Sequence, residues 1–304
     1  MERFEINILG CGAALPTNQH FCSMQVLNIR EKLFMIDCGE GAQMQLRKSK
    51  LKFSNINNIF ISHLHGDHCF GLIGLISTFA LLGRTNTLNI YGPTDIKATL
   101  QPQLDYFCNG MTYKVIIHEV NTKDREIIYE DRSITVETIP LKHKIKCCGY
   151  LFKEKPMLRH IRREAIDAYN IPISQINNIK RGMDWTMPDG EIIPNTILTS
   201  PADPTRSYAY CSDTMFKPDN AEQLKGVDML YHEATFSKEH HHVAKSTFHS
   251  TAQEAAEMAK LSEAKQLMIG HVSARYKDEN ILLDEAKSIY PNTILANEGM
   301  CIRL

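Results

Sequence analysis

Residues 62–72 read SHLHGDHCFGL, so His63, His65, Asp67 and His68 fall within six consecutive positions. Neutral imidazole and carboxylate are donors that zinc accepts. On a tight loop alternate residues point the same way, so His63 and His65 can reach one ion. Asp67 and His68, where the chain turns into a helix, can reach a second ion a few ångströms away. Two metals at roughly 3.5–4 Å can hold a hydroxide between them and clamp an in-line displacement at phosphorus. Two ions need more donors than this loop supplies. In α/β sheets such groups collect just past the ends of strands. Three residues meet that condition: His143 in LKHKIKCCGY, Asp213 in YAYCSDT and His271 in LMIGHVSARY. Added to the first loop, they make three ligands around each ion if Asp213 bridges.

The elements that must position these groups alternate between strand and helix. Strands are predicted at Phe4–Leu9, Ser23–Ile29, Leu33–Asp37, Asn58–Ser62, Leu88–Tyr91, Tyr113–Val120 and Ser133–Pro140. The pattern resumes at Ser207–Cys211, Val227–His232 and Gln266–Ile269 and closes with a strand over Ile294–Leu304. Arg30–Lys32 turns the early hairpin, and helices are predicted at Glu40–Arg47, along the apolar run Phe70–Leu82, and at Ala252–Leu261. From about residue 153 to about 200 the chain is polar, rich in Pro, Asn and Ile, and loses the period-2 alternation. That stretch reads as an insertion on one α/β domain of residues 1–304.

The hydrophobic fraction of 43% and charged fraction of 23% fit an ordinary soluble globular protein. The net charge of −1 means that attraction to nucleic acid must come from a local patch. Nine cysteines, an odd number without CxxC, imply reduced thiols in a cytoplasmic setting. The start MERFEINILG has no signal-peptide h-region. The apolar run of residues 70–82 falls short of the roughly 18 residues that span a bilayer, so it is expected to be a buried helix and no membrane role is expected. No protein partner is implied by these features.

The H-x-H-x-D-H loop resembles the metallo-β-lactamase superfamily, and the rest of the chain resembles its tRNA 3′-processing branch, tRNase Z. The matching stretches are GCGAALPT at 10–17, IDCGEG at 36–41, SHLHGDHCFGL at 62–72, HEATF at 232–236, HSTAQEAA at 249–256 and GHVSARY at 270–276. The resemblance implies a four-layer αββα sandwich with an inserted flexible arm at about 153–200. It implies two zinc ions per subunit, manganese being the alternative that the same donors admit. His63, His65 and His143 would hold one ion, Asp67, His68 and His271 the other, and Asp213 would bridge. Asp67 would accept a proton from the attacking water, and His249, oriented by Glu233, would protonate the leaving 3′-oxygen. The substrate implied is precursor tRNA, cut to leave a 3′-hydroxyl on the tRNA and a 5′-phosphate on the trailer, by a homodimer. The alternative within the superfamily is a phosphodiesterase acting on small esters or cyclic nucleotides.

The arm would grip RNA through Lys153, Lys155, Arg159, Arg162, Arg163, Lys180 and Arg181, since phosphate contacts position RNA without reading its sequence. Ser250 or Thr251 would cap a helix whose N-terminal amides suit an RNA phosphate, which makes both candidate RNA contacts. His240, His241 and His242 in EHHHVAKSTFH read as a mobile polar loop. Two stretches depart from the family pattern. NIPISQINNIKRG lacks the arm's Gly-Pro pair, and PTNQHFCS has neither Arg nor Asn where the family usually carries that pair.

Overall fold

The FEINILG segment buries Phe4, Ile6 and Ile8 and leaves Glu5 and Asn7 partly exposed, so Phe4–Gly10 extends as strand β1. The computed structural model, which describes residues 2–52 and 55–304, continues with β2 (Met24–Ile29) and β3 (Lys32–Ile36). Arg30 and Glu31 turn this hairpin with φ of 51° and 64°, the left-handed pair that suits a two-residue hairpin loop. Helix α1 (Ala42–Ser49) starts two residues later than its sequence suggests, because Gly41 takes φ 86°. There follow β4 (Ile56–Phe60), α2 (Gly66–Cys69), α3 (Gly71–Leu81), β5 (Leu88–Pro93), α4 (Ile96–Phe107) and β6 (Val115–Val120). Next come β7 (Ile127–Glu130), β8 (Ile134–Pro140) and β9 (Cys148–Glu154).

Two compact units divide the chain: Asp131–Ile134 with Glu154–Thr205, and Glu2–Glu130 with Thr135–Lys153 and Arg206–Leu304. The smaller unit contains β10 (His160–Ile161), α5 (Arg163–Ala168), α6 (Ile173–Lys180), β11 (Trp185–Thr186), β12 (Ile192–Ile193), α7 (Asn195–Leu198) and β13 (Thr199–Ser200). It has a core of its own, in which Ala165, Ile171, Ile179, Ile193 and Leu198 are buried against Tyr169 and Trp185.

The larger unit resumes with β14 (Ser207–Cys211), β15 (Met229–Glu233), α8 (His241–Thr247), α9 (Ala252–Leu261), β16 (Leu267–Gly270), α10 (Asn280–Ile289), β17 (Thr293–Leu295) and β18 (Cys301–Arg303). Its strands form two seven-stranded sheets, ordered β18-β1-β2-β3-β4-β5-β6 and β17-β16-β15-β14-β9-β8-β7. Met35 and Ile59 on one face of the first sheet pack with Leu46, Leu75 and Leu104 of α1, α3 and α4. The alternate residues Phe34 and Phe60 meet Phe152 of the second sheet at ring centroids 6.0 and 5.4 Å apart. Helices α9 and α10 cover the second sheet through Ala255, Met258, Leu282 and Ala286. The architecture is the four-layer αββα sandwich. All nine cysteines are free, and among the described residues no helix is long and apolar enough to cross a membrane.

Several expectations need correcting. Ile294–Leu304 is two strands in different sheets, parted by a turn at Asn297–Met300 in which Gly299 takes φ 84°. The histidine-rich stretch is ordered: His241 and His242 open helix α8, and His240 Nδ1 lies 3.0 Å from the Tyr276 hydroxyl. Helix α3 is buried on one side only, for Phe70, Leu81 and Leu82 are exposed. Helices α4 and α10 and strands β7 and β9 were not foreseen.

Candidate metal centre

The strand β4 ends before Ile61, and Ser62 to His65 carry the chain across the sheet edge into the short helix α2. His63 Nε2 and His143 Nε2 lie 3.0 and 3.2 Å from His65 Nδ1, while Asp213 Oδ2 lies 3.5 Å from His63 Nε2. A second group forms beside it. His68 Nε2 and His271 Nε2 are 3.3 Å apart, each is 3.4 Å from Asp67 Oδ2, and they lie 3.3 and 3.2 Å from Asp213 Oδ1. The structure therefore brings together all seven residues singled out in the sequence, with one oxygen of Asp213 in each group. His143 stands just past β8, Asp213 just past β14, and His271 follows β16 in a left-handed conformation with φ 58°.

The donor set fits two cations. Bonds of about 2.0–2.1 Å in a tetrahedron give donor–donor edges of about 3.4 Å, close to the spacings here. The outward ring nitrogens of four of the five histidines have partners: His63 Nδ1 lies 3.0 Å from Ser62 Oγ, His68 Nδ1 2.7 Å from Asp37 Oδ2, His143 Nδ1 2.9 Å from the Phe248 carbonyl and His271 Nδ1 3.0 Å from Thr235 Oγ1. The inward nitrogens converge on one another, as when a second layer of partners fixes the tautomer of ligating histidines. Burial holds His63 well below its ordinary pKa and lowers His65 and His143, so their lone pairs stay free of protons. Burial would raise Asp213, yet His271, His68 and His63 hold it well below the carboxylate range. Burial would lower His68, but the buried Asp213 and Asp37 carboxylates beside it favour its charged form and raise it.

Sequence reasoning assigned no role to Asp37. It sits fully buried at the end of β3 with φ 55° and accepts from Ser62 N at 2.7 Å, Ser62 Oγ at 2.9 Å and Tyr210 OH at 2.8 Å, besides its contact with His68. Its only signal was its place in IDCGEG. Thr235, in HEATF, was also missed; its hydroxyl donates to Glu233 Oε2 at 2.7 Å and so ties His271 to Glu233.

His249 and Glu233 form a separate pair beside the clusters. His249 Nδ1 is 2.8 Å from Glu233 Oε1, and His249 Nε2 is 4.0 Å from Asp213 Oδ2. Burial alone would lower His249, but the Glu233 carboxylate overcomes it and raises the pKa to about 9. The clusters and this histidine open into a cleft of about 670 Å³ whose rim includes Leu15, Phe70, Lys144 and Phe236.

Of Ser250 and Thr251, the helix cap falls to Thr251. Ser250 Oγ donates to the Thr214 carbonyl at 2.7 Å, and Thr251 closes a capping box with Glu254 on α9. Both residues are buried and their hydroxyls are spent inside the protein. In the smaller unit Arg162, Arg163 and Arg181 are exposed, whereas Arg159 donates to Thr199 Oγ1 at 2.7 Å. Lys153, in the larger unit, lies 3.5 Å from Glu137.

Among known proteins, the chain is 60% identical over 304 residues to ribonuclease Z of Bacteroides fragilis (strain YCH46), with 100% of each chain covered. It is 54% identical to ribonuclease Z of Porphyromonas gingivalis (strain ATCC BAA-308 / W83), again over 100% of each. The chain belongs to the ribonuclease Z family. Human tRNase Z, short form, superposes with a TM-score of 0.71 at 25% identity, covering 98% of each chain. The metallo-β-lactamase-fold protein YhfI from Bacillus subtilis shares the fold, with a TM-score of 0.71 at 17% identity and 100% of each chain covered. The family profile for Anti-Pycsar protein Apyc1 matches residues 4–158, which hold the first loop and His143 but stop short of Asp213, Glu233, His249 and His271. The ribonuclease Z family's metallo-β-lactamase fold implies bound metal ions, and the seven clustered donors are where they fit.

Proposed function

We propose that this chain removes the 3′ trailer from precursor tRNA with two zinc ions held by His63, His65, His143, Asp67, His68, His271 and a bridging Asp213. As a ribonuclease Z family member it is a tRNA-processing endoribonuclease. The observation that carries the reading is the pair of buried donor clusters sharing Asp213 beside the His249–Glu233 pair. Two such ions, when bound, polarise a phosphoryl oxygen and lower the pKa of water.

The residues do the rest. Asp67 Oδ2 accepts the Ala14 amide at 2.8 Å, which orients the carboxylate toward its role of taking a proton from the attacking water. The attacking oxygen bonds to phosphorus as the bond to the 3′-oxygen breaks. His249, charged beside Glu233, gives its proton to that oxygen. The tRNA leaves with a 3′-hydroxyl and the trailer with a 5′-phosphate.

The test is cleavage of an end-labelled precursor tRNA by wild type and His65→Ala. One cut beside the acceptor stem, leaving a 3′-hydroxyl and lost in the variant, supports the reading. An intact precursor with metal-replete wild type discards it and leaves a hydrolase of small phosphodiesters.

The protein works in the cytoplasm as a homodimer, and the smaller unit is its tRNA-gripping arm. Its exposed Arg162, Arg163 and Arg181 favour that role. Changing these three to alanine is expected to raise KM for precursor tRNA about tenfold and flatten its salt dependence, while turnover of bis(p-nitrophenyl) phosphate holds. Equal losses on both substrates would count against the arm.

A further inference from the structure

We propose that His20, clamped between Glu279 and Glu298, is a positioning residue that fixes the loop of residues 12–21 as one wall of the cleft; this rests on the tRNA-cleaving reading above. The loop departs from β1 and is closed at its base by the Gly12 amide on the Phe21 carbonyl at 2.9 Å. Thr17 shapes its far end, accepting from the Gln19 and His20 amides at 3.1 and 2.9 Å. Its tip, Ala13 to Pro16, lines the cleft, and Leu15 there is exposed. The same tip supplies the Ala14 amide that holds Asp67. A shift of this tip therefore alters the cleft wall that a large substrate meets.

Local turns alone do not anchor such a tip. His20 does, because it reaches two distant elements. Its Nδ1 lies 2.8 Å from Glu298 Oε2, in the turn between β17 and β18, and its Nε2 lies 2.8 Å from Glu279 Oε1, at the N-terminus of α10. Glu298 grips the loop a second time, its Oε1 accepting the Phe21 amide at 2.9 Å. The imidazole is nine-tenths buried. The Cys11 sulfur at 3.4 Å and the two carboxylates raise its pKa to about 12 against the effect of burial.

Cys11, His20 and Glu298 also have the composition of a metal site. The geometry argues for the charged clamp instead. Each ring nitrogen faces a carboxylate, so both are protonated donors and no lone pair remains for a metal. Burial raises Cys11 to about 11, which keeps it a thiol.

The experiment compares His20→Gln and His20→Arg with wild type in three measurements: KM and kcat on precursor tRNA, kcat on bis(p-nitrophenyl) phosphate, and hydrogen exchange of residues 12–21. A glutamine carries no charge and cannot pair with both carboxylates, whereas the guanidinium keeps the charge and a fork of donors. The expected result for His20→Gln is a rise in KM for precursor tRNA of about tenfold, with kcat on the small ester within about threefold and faster exchange confined to the loop. His20→Arg should return both KM and exchange toward wild type. Unchanged KM and exchange in His20→Gln, equal losses on both substrates, or an arginine variant no better than the glutamine one would each overturn the clamp. If His20→Gln does not fold, Glu279→Gln removes a single ion pair and is read the same way. Should wild type leave precursor tRNA intact, the functional reading fails on its own, and exchange of the loop still judges the clamp.

Discussion

Replacing Asp213 with alanine is expected to lower kcat/KM for precursor tRNA by on the order of 10⁴-fold and to strip metal from the protein. Among the clustered donors, this carboxylate alone offers an oxygen to each group, Oδ2 toward His63 and His143 and Oδ1 toward His68 and His271. Losing it removes a ligand from both sites and the anion that keeps two neighbouring cations tolerable. Metal chemistry of this kind supplies several kcal/mol of charge stabilisation, and each 1.4 kcal/mol or so is a factor of about ten in rate. The checks are metal content after dialysis and single-turnover cleavage, with circular dichroism to show that the variant is folded. A folded variant that keeps two metals and cleaves within about tenfold of wild type would sink the bridging role.

The second large effect is expected at His249. Alanine there should lower kcat on precursor tRNA by about 10²–10⁴-fold, the usual worth of a positioned general acid. KM should change little, because the imidazole acts on the leaving oxygen. The discriminating measurement uses the leaving group. A ribose 3′-oxygen is a poor leaving group and needs a proton as its bond breaks, whereas p-nitrophenolate needs almost none. The variant should therefore keep most of its rate on bis(p-nitrophenyl) phosphate while losing it on tRNA. A parallel loss on both would mean that His249 holds the clusters in shape instead. Glu233→Gln should show a weaker form of the same split. It removes the charge that raises His249 but leaves an oxygen to meet the ring, which stands 2.8 Å from the native carboxylate.

The site was more legible in the sequence than the fold that carries it. His63, His65, Asp67 and His68 stand out because their ligand chemistry is packed into one turn. His143, Asp213 and His271 are separated in sequence but each follows an apolar strand, so the ends of β8, β14 and β16 pointed to them. Asp37 and Thr235 were not legible. A buried aspartate at the end of a hairpin and a threonine in a loop have ordinary local sequences, and their worth lies in contacts with residues 62, 68, 210, 233 and 271. The cap was legible, for the Ser-Thr pair before AQEAAEMAKL does place Thr251 as the N-cap of α9.

Among the elements, β9 is buried except at Lys153, so CGYLFKE lacks the alternation of a half-exposed strand. Helix α4 contains Pro102, which interrupts the pattern although the helix continues through it. The single strand expected at residues 294–304 overlooked the turn signal Asn297-Glu298-Gly299.

That last turn has a consequence for how the molecule is made. Strand β1 pairs with β18 through Glu5 and Arg303, Ile6 and Ile302, and Asn7 and Cys301. Strand β17, only a few residues earlier, completes the other sheet beside β16. On the ribosome β1 is therefore left with an unsatisfied edge until residues 301–303 emerge, and both sheets are finished within one short interval of synthesis. The donors of the two clusters lie between residues 63 and 271, inside that span. Without residues 301–303 the edge of that sheet is the seven-residue β1 instead of the three-residue β18, a longer row of unpaired backbone groups open to mispairing.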